Sequence, residues 1–571
     1  MSKKIITSAL PYPHGRLHLG RVVGAYLPAD IYAKFCRAMW DDVIYISGTD
    51  DHGVGIEIEA EKTWLTYSEI CSKYRDIYAQ NFKSLWIEFD LFAGTDSIEH
   101  QIISNDFFDK IYTQWLLEEK TTEQMYCNIC QKFLPDRYIT WTCPKCKAEW
   151  QNGDQCEVCG SMLSPEELIN PKCKTCWWSD LIRKSTKHLF FQLQKLQWDV
   201  ANRLETKRWI WKNNVISTAL DKWIKDDLHP RSYTRDVKCG IPVPLEGYKN
   251  KTIYVWFEAP LWYISITDIY LKQVGNRWTL ADRRQNPETE LIHFIGKDNT
   301  VFHSISRPSQ IITYNKISDQ KYILPTQIPA NEFLNLEGKK FSTSRNYAVW
   351  TDDIVVKYNP DYVRFYLVSI MPENQDADRK WSEFADRCNN LCDSLGNLFS
   401  RVVNLVIKYR EWLFQTANID NVSQDIINLT NNFVSQIYIC KENIIWHISN
   451  FQFRDGLAEM MHLFAIANKY INDTKPRELA KTDMTSTLYI LDIMWWYLVT
   501  VAGIIYPYLP FTSQKILWYI YQGDEDIIIN NYKNIWNNFD YDYRKMLTKP
   551  DYLFIKITPE QIAEEIEKLW L

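Results

Sequence analysis

Glycine is scarce in this chain. There are 18 among 571 residues, about half the usual ~7%. Glycine-rich linkers and collagen-like repeats are thereby excluded, and no low-complexity tail or internal repeat is present. Charge of one sign is also lacking. The net charge of −6 excludes a surface coated with phosphate-binding cations but leaves room for a local basic groove. Met-Ser-Lys-Lys leads straight into an apolar run, so no signal peptide is expected and a cytoplasmic location is. One uncharged stretch, Ile493 to Phe511, approaches the ~20 residues of a membrane span. Gly503, Pro507 and Pro510 interrupt it, so a buried bundle helix ending at Pro507 is expected, with no membrane partner.

Cysteine is plentiful. Eight of the fourteen form four Cys-x-x-Cys pairs: Cys127/Cys130, Cys143/Cys146, Cys156/Cys159 and Cys173/Cys176. A disulfide framework does not suit a large chain without a secretion signal. Each pair can offer two thiolates to a tetrahedral metal, so Zn2+ is expected at one or two sites. Spacing alone leaves three ways of pairing the four knuckles.

Two distant segments carry the chemistry. Pro11-Tyr-Pro-His-Gly-Arg-Leu-His18-Leu-Gly20 lies between the apolar run Ile5–Leu10 and a helical pattern from Val22. A strand-to-helix corner of this kind presents backbone N–H groups and a helix N-terminus to an anion. Gly338-Lys-Lys340-Phe-Ser342-Thr-Ser344 is a cationic, hydroxyl-rich loop suited to closing over phosphates. Together they resemble the paired "HIGH" and "KMSKS" signatures of class I aminoacyl-tRNA synthetases. Gly48-Thr-Asp50-Asp-His52-Gly53, Tyr254-Val-Trp256-Phe-Glu-Ala259-Pro260 and His293-Phe-Ile-Gly-Lys297-Asp298…Phe302-His303 narrow the resemblance to the methionyl-tRNA synthetases, over essentially the whole chain.

The resemblance implies an α/β fold: a Rossmann-type doubly wound catalytic domain with a zinc-knuckle insertion and a C-terminal all-α anticodon-binding bundle. The expected boundaries are 1–117 and 236–330 for the two catalytic halves, 118–235 for the insertion, 331–380 for a loop-rich region bearing the Lys-Phe-Ser-Thr-Ser loop, and 381–571 for the bundle. Strands are expected at Ile5–Leu10, Val43–Ser47, Thr252–Trp256 and Leu291–Ile295. The chain ends where the family's minimal core ends, so a monomer is expected. The implied reaction joins L-methionine to ATP, with Mg2+, and then to tRNA(Met). The weighed alternatives are a catalytically impaired tRNA-binding paralogue and a synthetase for another aliphatic amino acid.

By resemblance, His18, Arg21 and Lys340 are the catalytic residues. His18, Gly20, Lys297, Asp298, Lys340, Ser342 and Ser344 would hold ATP. Ala9, Leu10, Tyr12, Trp256, Ala259, Pro260, Tyr263 and His303 would form the methionine pocket, with Asp50 on the ammonium group and Arg235 near the carboxylate. Asn397 and Arg401, spaced i,i+4 on one helix face, and Arg477 would read the anticodon. The resemblance also nests the metal sites: Cys143, Cys146, Cys156 and Cys159 inside, and Cys127, Cys130, Cys173 and Cys176 outside.

The chain departs from the family at four signature positions. Arg21 stands for a histidine, Thr343 for a lysine, and Arg307 and Arg477 for tryptophans. The 24 tryptophans outnumber the glycines. Trp40, Trp64, Trp86, Trp115, Trp141, Trp177, Trp223 and Trp262 stand where turn chemistry or the family pattern wants glycine. Codons read as glycine in the source but written as tryptophan would produce that pattern.

Overall fold

A computed structural model describes residues 2–568 except 136–137, 153–166, 276–277, 280–281, 283–285, 287, 343–345, 411–418 and 522–550. Five parallel strands form the central sheet: β1 (Lys3–Ser8), β2 (Asp42–Thr49), β3 (Leu91–Gly94), β6 (Thr289–Gly296) and β7 (Ala330–Asn331), in the order β7-β6-β1-β2-β3. β1 and β2 are buried almost throughout. That is what strands covered by helices on both faces require, and why Ile5-Ile6 and Val43-Ile44-Tyr45-Ile46 run apolar without alternation. The chain leaves β1 in one direction for β2 and in the other for β6. β1 is therefore the topological switch point, and a ligand crevice is expected beyond its carboxyl end.

Between β3 and β6 the chain makes a long antiparallel arm. β4 (Leu117–Cys127) pairs along its whole length with β5 (Leu181–Phe191), from Leu117 opposite Phe191 to Cys127 opposite Leu181. The knuckles sit at the far end of this arm. They pack back onto the helix Val54–Thr63, where Lys132 pairs with Glu61 at 2.7 Å and the Tyr138 hydroxyl donates to Glu57.

Two readings of local structure are corrected. The run Thr252–Trp256 is not a sheet strand. Only Thr252–Ile253 pair, with Thr234–Arg235, and Val255–Glu258 turn into a helix. A short apolar run cannot distinguish a buried strand from a buried helix by its periodicity. The stretch 331–380, read as loop-rich, contains helices Thr351–Lys357 and Pro360–Ser369 and a small three-stranded sheet.

Among the described residues after Lys380 helices predominate, with long helices Asn397–Tyr409, Gln424–Ser449, Phe453–Thr474 and Met484–Ile505. Met484–Ile505 is long and apolar enough to cross a membrane, yet 72% of its apolar window is buried against the rest of the chain. Arg364 ties bundle to sheet. Its guanidinium pairs with Asp30 at 2.9 Å and donates to the carbonyls of Leu85, Pro507 and Tyr508. A buried arginine of this kind is tolerated because every polar edge is matched.

Five of the eight suspect tryptophans have left-handed backbone: Trp40 (φ 65°), Trp64 (58°), Trp86 (53°), Trp115 (56°) and Trp177 (62°). Trp150 (59°), which the sequence pattern did not single out, joins them. Trp141, Trp223 and Trp262 do not. Trp141 lies in a strand and Trp262 opens a helix at φ −52°, so no left-handed turn calls for glycine there.

Candidate active site

The crevice opens at the end of β1, as the strand order requires. It has a volume of about 330 Å³, and its walls include Tyr12, His18, Gly20, Trp256, Asp298 and Lys340. This is the size of a small-molecule site.

Its floor is the corner after β1. The helix that follows starts at Leu19 and carries one π-helical turn, Val22–Tyr26, before continuing to Ala38. Asn331 donates to the Val23 carbonyl within that turn at 3.0 Å. Gly20 is closely packed: a Cβ would lie 3.1 Å from the His18 ring and 3.4 Å from Phe341, so a side chain there would press on the His18 ring. His18 has a buried Nδ1 without a hydrogen-bond partner. Burial and then the nearby Arg21 push its pKa down to about 3, so the ring is neutral and keeps a donor for an anion. Arg21 is engaged by the Tyr78 hydroxyl.

The second signature docks on the first. Leu19 donates its N–H to the Val349 carbonyl at 3.0 Å, Thr351 donates to the Leu17 carbonyl at 2.9 Å, and His18 stacks on Phe341 with centroids 5.1 Å apart. Lys340 is exposed over the cleft, 5.0 Å from the Phe333 ring. Ser342 pairs with Tyr347 across the loop; Ser344 and Thr343 lie outside the described residues.

On the β6 side, Asp298 follows Gly296, where a Cβ would come within 2.7 Å of the Asp298 carboxylate. Burial raises the pKa of Asp298. Lys297 points elsewhere, pairing with Glu332 at 2.8 Å and Asp376 at 2.6 Å. It is thus an ion-pair residue at the rim.

Ala9, Leu10, Tyr12 and Trp256 line the cleft. Trp256 stacks on Phe302 at 4.2 Å and meets Tyr12 edge-on at 6.1 Å. Ala259, Pro260, Tyr263 and His303 are buried and absent from the cleft's lining. His303 donates from Nδ1 to the Asn299 carbonyl at 3.0 Å, so its Nε2 accepts from the Tyr263 hydroxyl at 2.9 Å. Asp50 is 4% exposed, and its Oδ1 has no partner. Burial, Glu258 and Asp51 push its pKa well above the ordinary range. A cation brought to it would relieve both deficits. Arg235 lies over Tyr254 at 3.7 Å in an adjoining pocket shared with Tyr12 and Trp256.

Two features were not foreseen. Phe302 and Phe341 brace Trp256 and His18, and only their places inside the motifs hinted at it. Arg307 is 1% exposed beside Tyr263, donates from Nε to the Pro260 carbonyl at 2.9 Å, and leaves Nη1 without a partner.

At the knuckles, the Sγ atoms of Cys127 and Cys176 are 3.6 Å apart and those of Cys130 and Cys173 are 3.8 Å apart; all four lie within 4.8 Å of one another. A tetrahedron with Zn–S bonds of about 2.3 Å has edges of about 3.8 Å, so this thiolate set fits zinc. Cys143 and Cys146 form a matching knuckle, with the Cys146 N–H directed at the Cys143 sulfur at 3.5 Å. Cys156 and Cys159 lie outside the described residues. In the bundle, Asn397 and Arg401 are exposed on one helix face. Arg401 donates to Asn472 at 2.7 Å, on the helix that leads to exposed Arg477.

Residues 4–403 match the family described as tRNA synthetases class I (M), and residues 430–565 match the anticodon-binding domain of tRNA ligase. The methionine–tRNA ligase of Pyrococcus horikoshii is 40% identical over 575 residues, spanning 98% of this chain and 76% of that protein. That of Bacteroides fragilis is 38% identical over 572 residues, spanning 99% and 80%. The chain belongs to the methionyl-tRNA synthetase family. The Mycobacterium tuberculosis methionyl-tRNA synthetase in complex with methionyl-adenylate shares the fold, with a TM-score of 0.76 over 97% of this chain and 100% of that one at 19% identity. In family terms, the crevice is where the synthetase signatures converge, and the bundle is the anticodon-binding domain.

Proposed function

We propose that this chain activates L-methionine with ATP and transfers the methionyl group to the 3′ end of tRNA(Met). The methionine carboxylate attacks the α-phosphorus of ATP, and the P–O bond to pyrophosphate breaks. The terminal ribose hydroxyl of the tRNA then attacks the carbonyl of the adenylate, and AMP leaves. No protein nucleophile is needed; the chain positions the reactants and neutralises charge.

The observation that carries this reading is one crevice lined by Tyr12, His18, Trp256, Asp298 and Lys340, with buried Asp50 behind it, hydrogen-bonded to Tyr12 and leaving its Oδ1 unpartnered. Asp50 takes the ammonium group, and Arg235 is the cation for the carboxylate. Trp256 and Tyr12 offer aromatic faces and edges to the thioether, with Ala9 and Leu10 beside them. Ala259, Pro260, Tyr263 and His303 shape that wall from behind. His18 and the Gly20 backbone receive the phosphates, Asp298 the ribose, and Lys340, Ser342 and Ser344 close over the leaving pyrophosphate with Mg2+. Arg21 adds a cation and Lys297 steadies the rim. Asn397, Arg401 and Arg477 meet the anticodon, whose splayed bases stack on flat side chains and bond through their edges.

Zinc, when bound at Cys127, Cys130, Cys173 and Cys176, would cross-link the arm's tip; Cys143, Cys146, Cys156 and Cys159 would make the second site. The protein would work as a cytoplasmic monomer with no membrane contact.

Methionine-dependent ATP–pyrophosphate exchange and charging of tRNA(Met) test the reading. Exchange with methionine alone among the aliphatic amino acids is expected. Asp50→Asn should raise KM for methionine about 10- to 100-fold, the worth of a charged hydrogen bond, with KM for ATP unchanged. Absence of exchange from folded protein would overturn it.

A further inference from the structure

Glu258 has no part in the roles above, yet it is buried completely at the heart of the site. Its Oε1 meets His52 Nδ1 at 2.9 Å, and its Oε2 meets His100 Nε2 at 2.7 Å. His100 is held in turn through Nδ1 by the Ser265 hydroxyl at 2.8 Å, with its ring edge-on to Trp262 at 5.3 Å. One carboxylate thus fastens three separate elements. His52 belongs to the loop after β2, His100 to the helix Ile98–Thr113, and Glu258 to the short helix that carries Trp256. Burial opposes ionisation of Glu258, but the two imidazoles hold its pKa below the ordinary range. The backbone N–H of His52 donates to the Asp50 carboxylate. A continuous path therefore runs from Asp50 through His52 and Glu258 to Trp256. Also facing Asp50 are Asp51, which pairs with Arg75, together with Tyr12, Tyr263 and Cys239.

We propose that Glu258 is a positioning residue that sets the distance between the Asp50 carboxylate and the Trp256 wall, and so the fit of the amino acid's ammonium group and side chain. This rests on the methionine-site reading above. A fixed span between two recognition points is what discriminates a substrate by length, and small misplacement of such points is costly.

The test is exchange kinetics with methionine and ATP varied separately, on the intact protein and on Glu258→Gln and Ser265→Ala, with thermal melts alongside. Glu258→Gln should raise KM for methionine on the order of tenfold to a hundredfold, leaving KM for ATP within about twofold. Ser265→Ala, which loosens His100 without removing charge, should move the same constant in the same direction by less. Equal changes in both constants, no change in either, or loss of folding in both variants would overturn the proposal. Failure of the methionine-site reading would look different: the unaltered protein would show no methionine-dependent exchange.

A second, independent observation lies in the backbone. Six tryptophans have φ between 53° and 65°, among only fourteen non-glycine residues with positive φ in the described chain. Trp40, Trp64, Trp86 and Trp115 each stand just past a helix end, the left-handed position that glycine fills. Their amides close the last turn, as Trp64 does on Ala60 at 2.9 Å. The indoles of Trp64 and Trp115 gain little, being 93% and 82% exposed, whereas Trp86 is half-buried and edge-on to Phe511 at 4.7 Å. Left-handed backbone is costly for any side chain, and a bulky apolar ring in solvent gives nothing back. We infer that the codons at residues 40, 64, 86, 115, 150 and 177 are read as glycine by the organism that makes this protein.

Peptide masses of the protein isolated from its own source decide this. Glycine masses at the six positions, with tryptophan retained at Trp256, are expected. Tryptophan masses at the six, or UGG codons there, would overturn it.

Discussion

His18 lies stacked on Phe341, ring centroids 5.1 Å apart and planes 18° from parallel, so two signatures more than 300 residues apart in sequence meet face to face. The contact is apolar on one side of the imidazole and leaves Nδ1 unpartnered on its edge. Phe341 therefore sets the angle at which His18 presents its nitrogen, and it joins that angle to the position of Lys340 next door.

Phe341→Ala should lower the exchange rate about tenfold or more, since misorienting a positioned donor is expensive. Phe341→Tyr keeps the ring and should stay near the starting rate. Exchange rates at saturating methionine, with the melting temperature as a check on folding, measure this.

Trp64 offers a stability test with opposite signs at two sites. Trp64→Gly should stabilise the protein by about 1 kcal/mol, because the left-handed cost of ~1–2 kcal/mol is removed and only part is lost to glycine's freedom in the unfolded chain. Trp496→Gly, inside the helix Met484–Ile505, should destabilise it by about 1 kcal/mol or more. Urea unfolding of both variants, followed by circular dichroism, reads the two directions.

A metal held by the outer knuckles would have a local reach. Chelation, or Cys127→Ser with Cys176→Ser, should remove zinc from the outer cluster and loosen the arm's tip, since a structural zinc site contributes folding energy directly. The helical bundle should keep its melting transition. Metal content per chain and calorimetry test this; zinc retained in the double variant, or a bundle that melts with the tip, contradicts it.

Acid should weaken the catalytic domain through its buried histidines, His18 and His303 among them. Burial pushes His18 down to about 3 and His303 down to about 4, whereas in the unfolded chain each titrates near 6.5. Between about 4 and 6.5 the unfolded state binds more protons than the folded state, so stability rises with pH and is lost on acidification. His303→Gln should shrink the stability difference between pH 5 and pH 7. An unchanged difference would exclude His303 as a contributor.

Much of this was legible in the sequence because local constraint and chemistry coincided. Ile5–Leu10, the His18 corner and the cysteine pairs each announce themselves within ten residues; β1 and the crevice stand where those signals put them, and the outer thiolate cluster stands where the family resemblance, not the spacing, put it. What escaped notice depends on long-range packing. Val255–Glu258 looks like a strand because a helix buried all round is as uniformly apolar as one. Lys297 is expected at the nucleotide from its motif, and its ion pairs with Glu332 and Asp376 could not be read from the sequence. Glu258 is silent in sequence, since its histidine partners lie 206 and 158 residues away. The left-handed turns were half visible: five suspect tryptophans obey the rule, Trp150 was missed, and Trp262 is instead a buried indole whose Nε1 has no partner.

The placement of β1 at the sheet's centre has a consequence in time. Lys3 pairs with Thr289 on one side and with Asp42 on the other. A ribosome adding about 5–20 residues per second needs roughly 12–50 s to travel from one partner of β1 to the other. Throughout that interval the nascent chain carries an apolar strand with one edge satisfied and the other open, the condition under which chains pair wrongly with their neighbours. The long arm and its cysteine knuckles emerge during the same interval, so β6 must find its place after everything inserted before it has already been built.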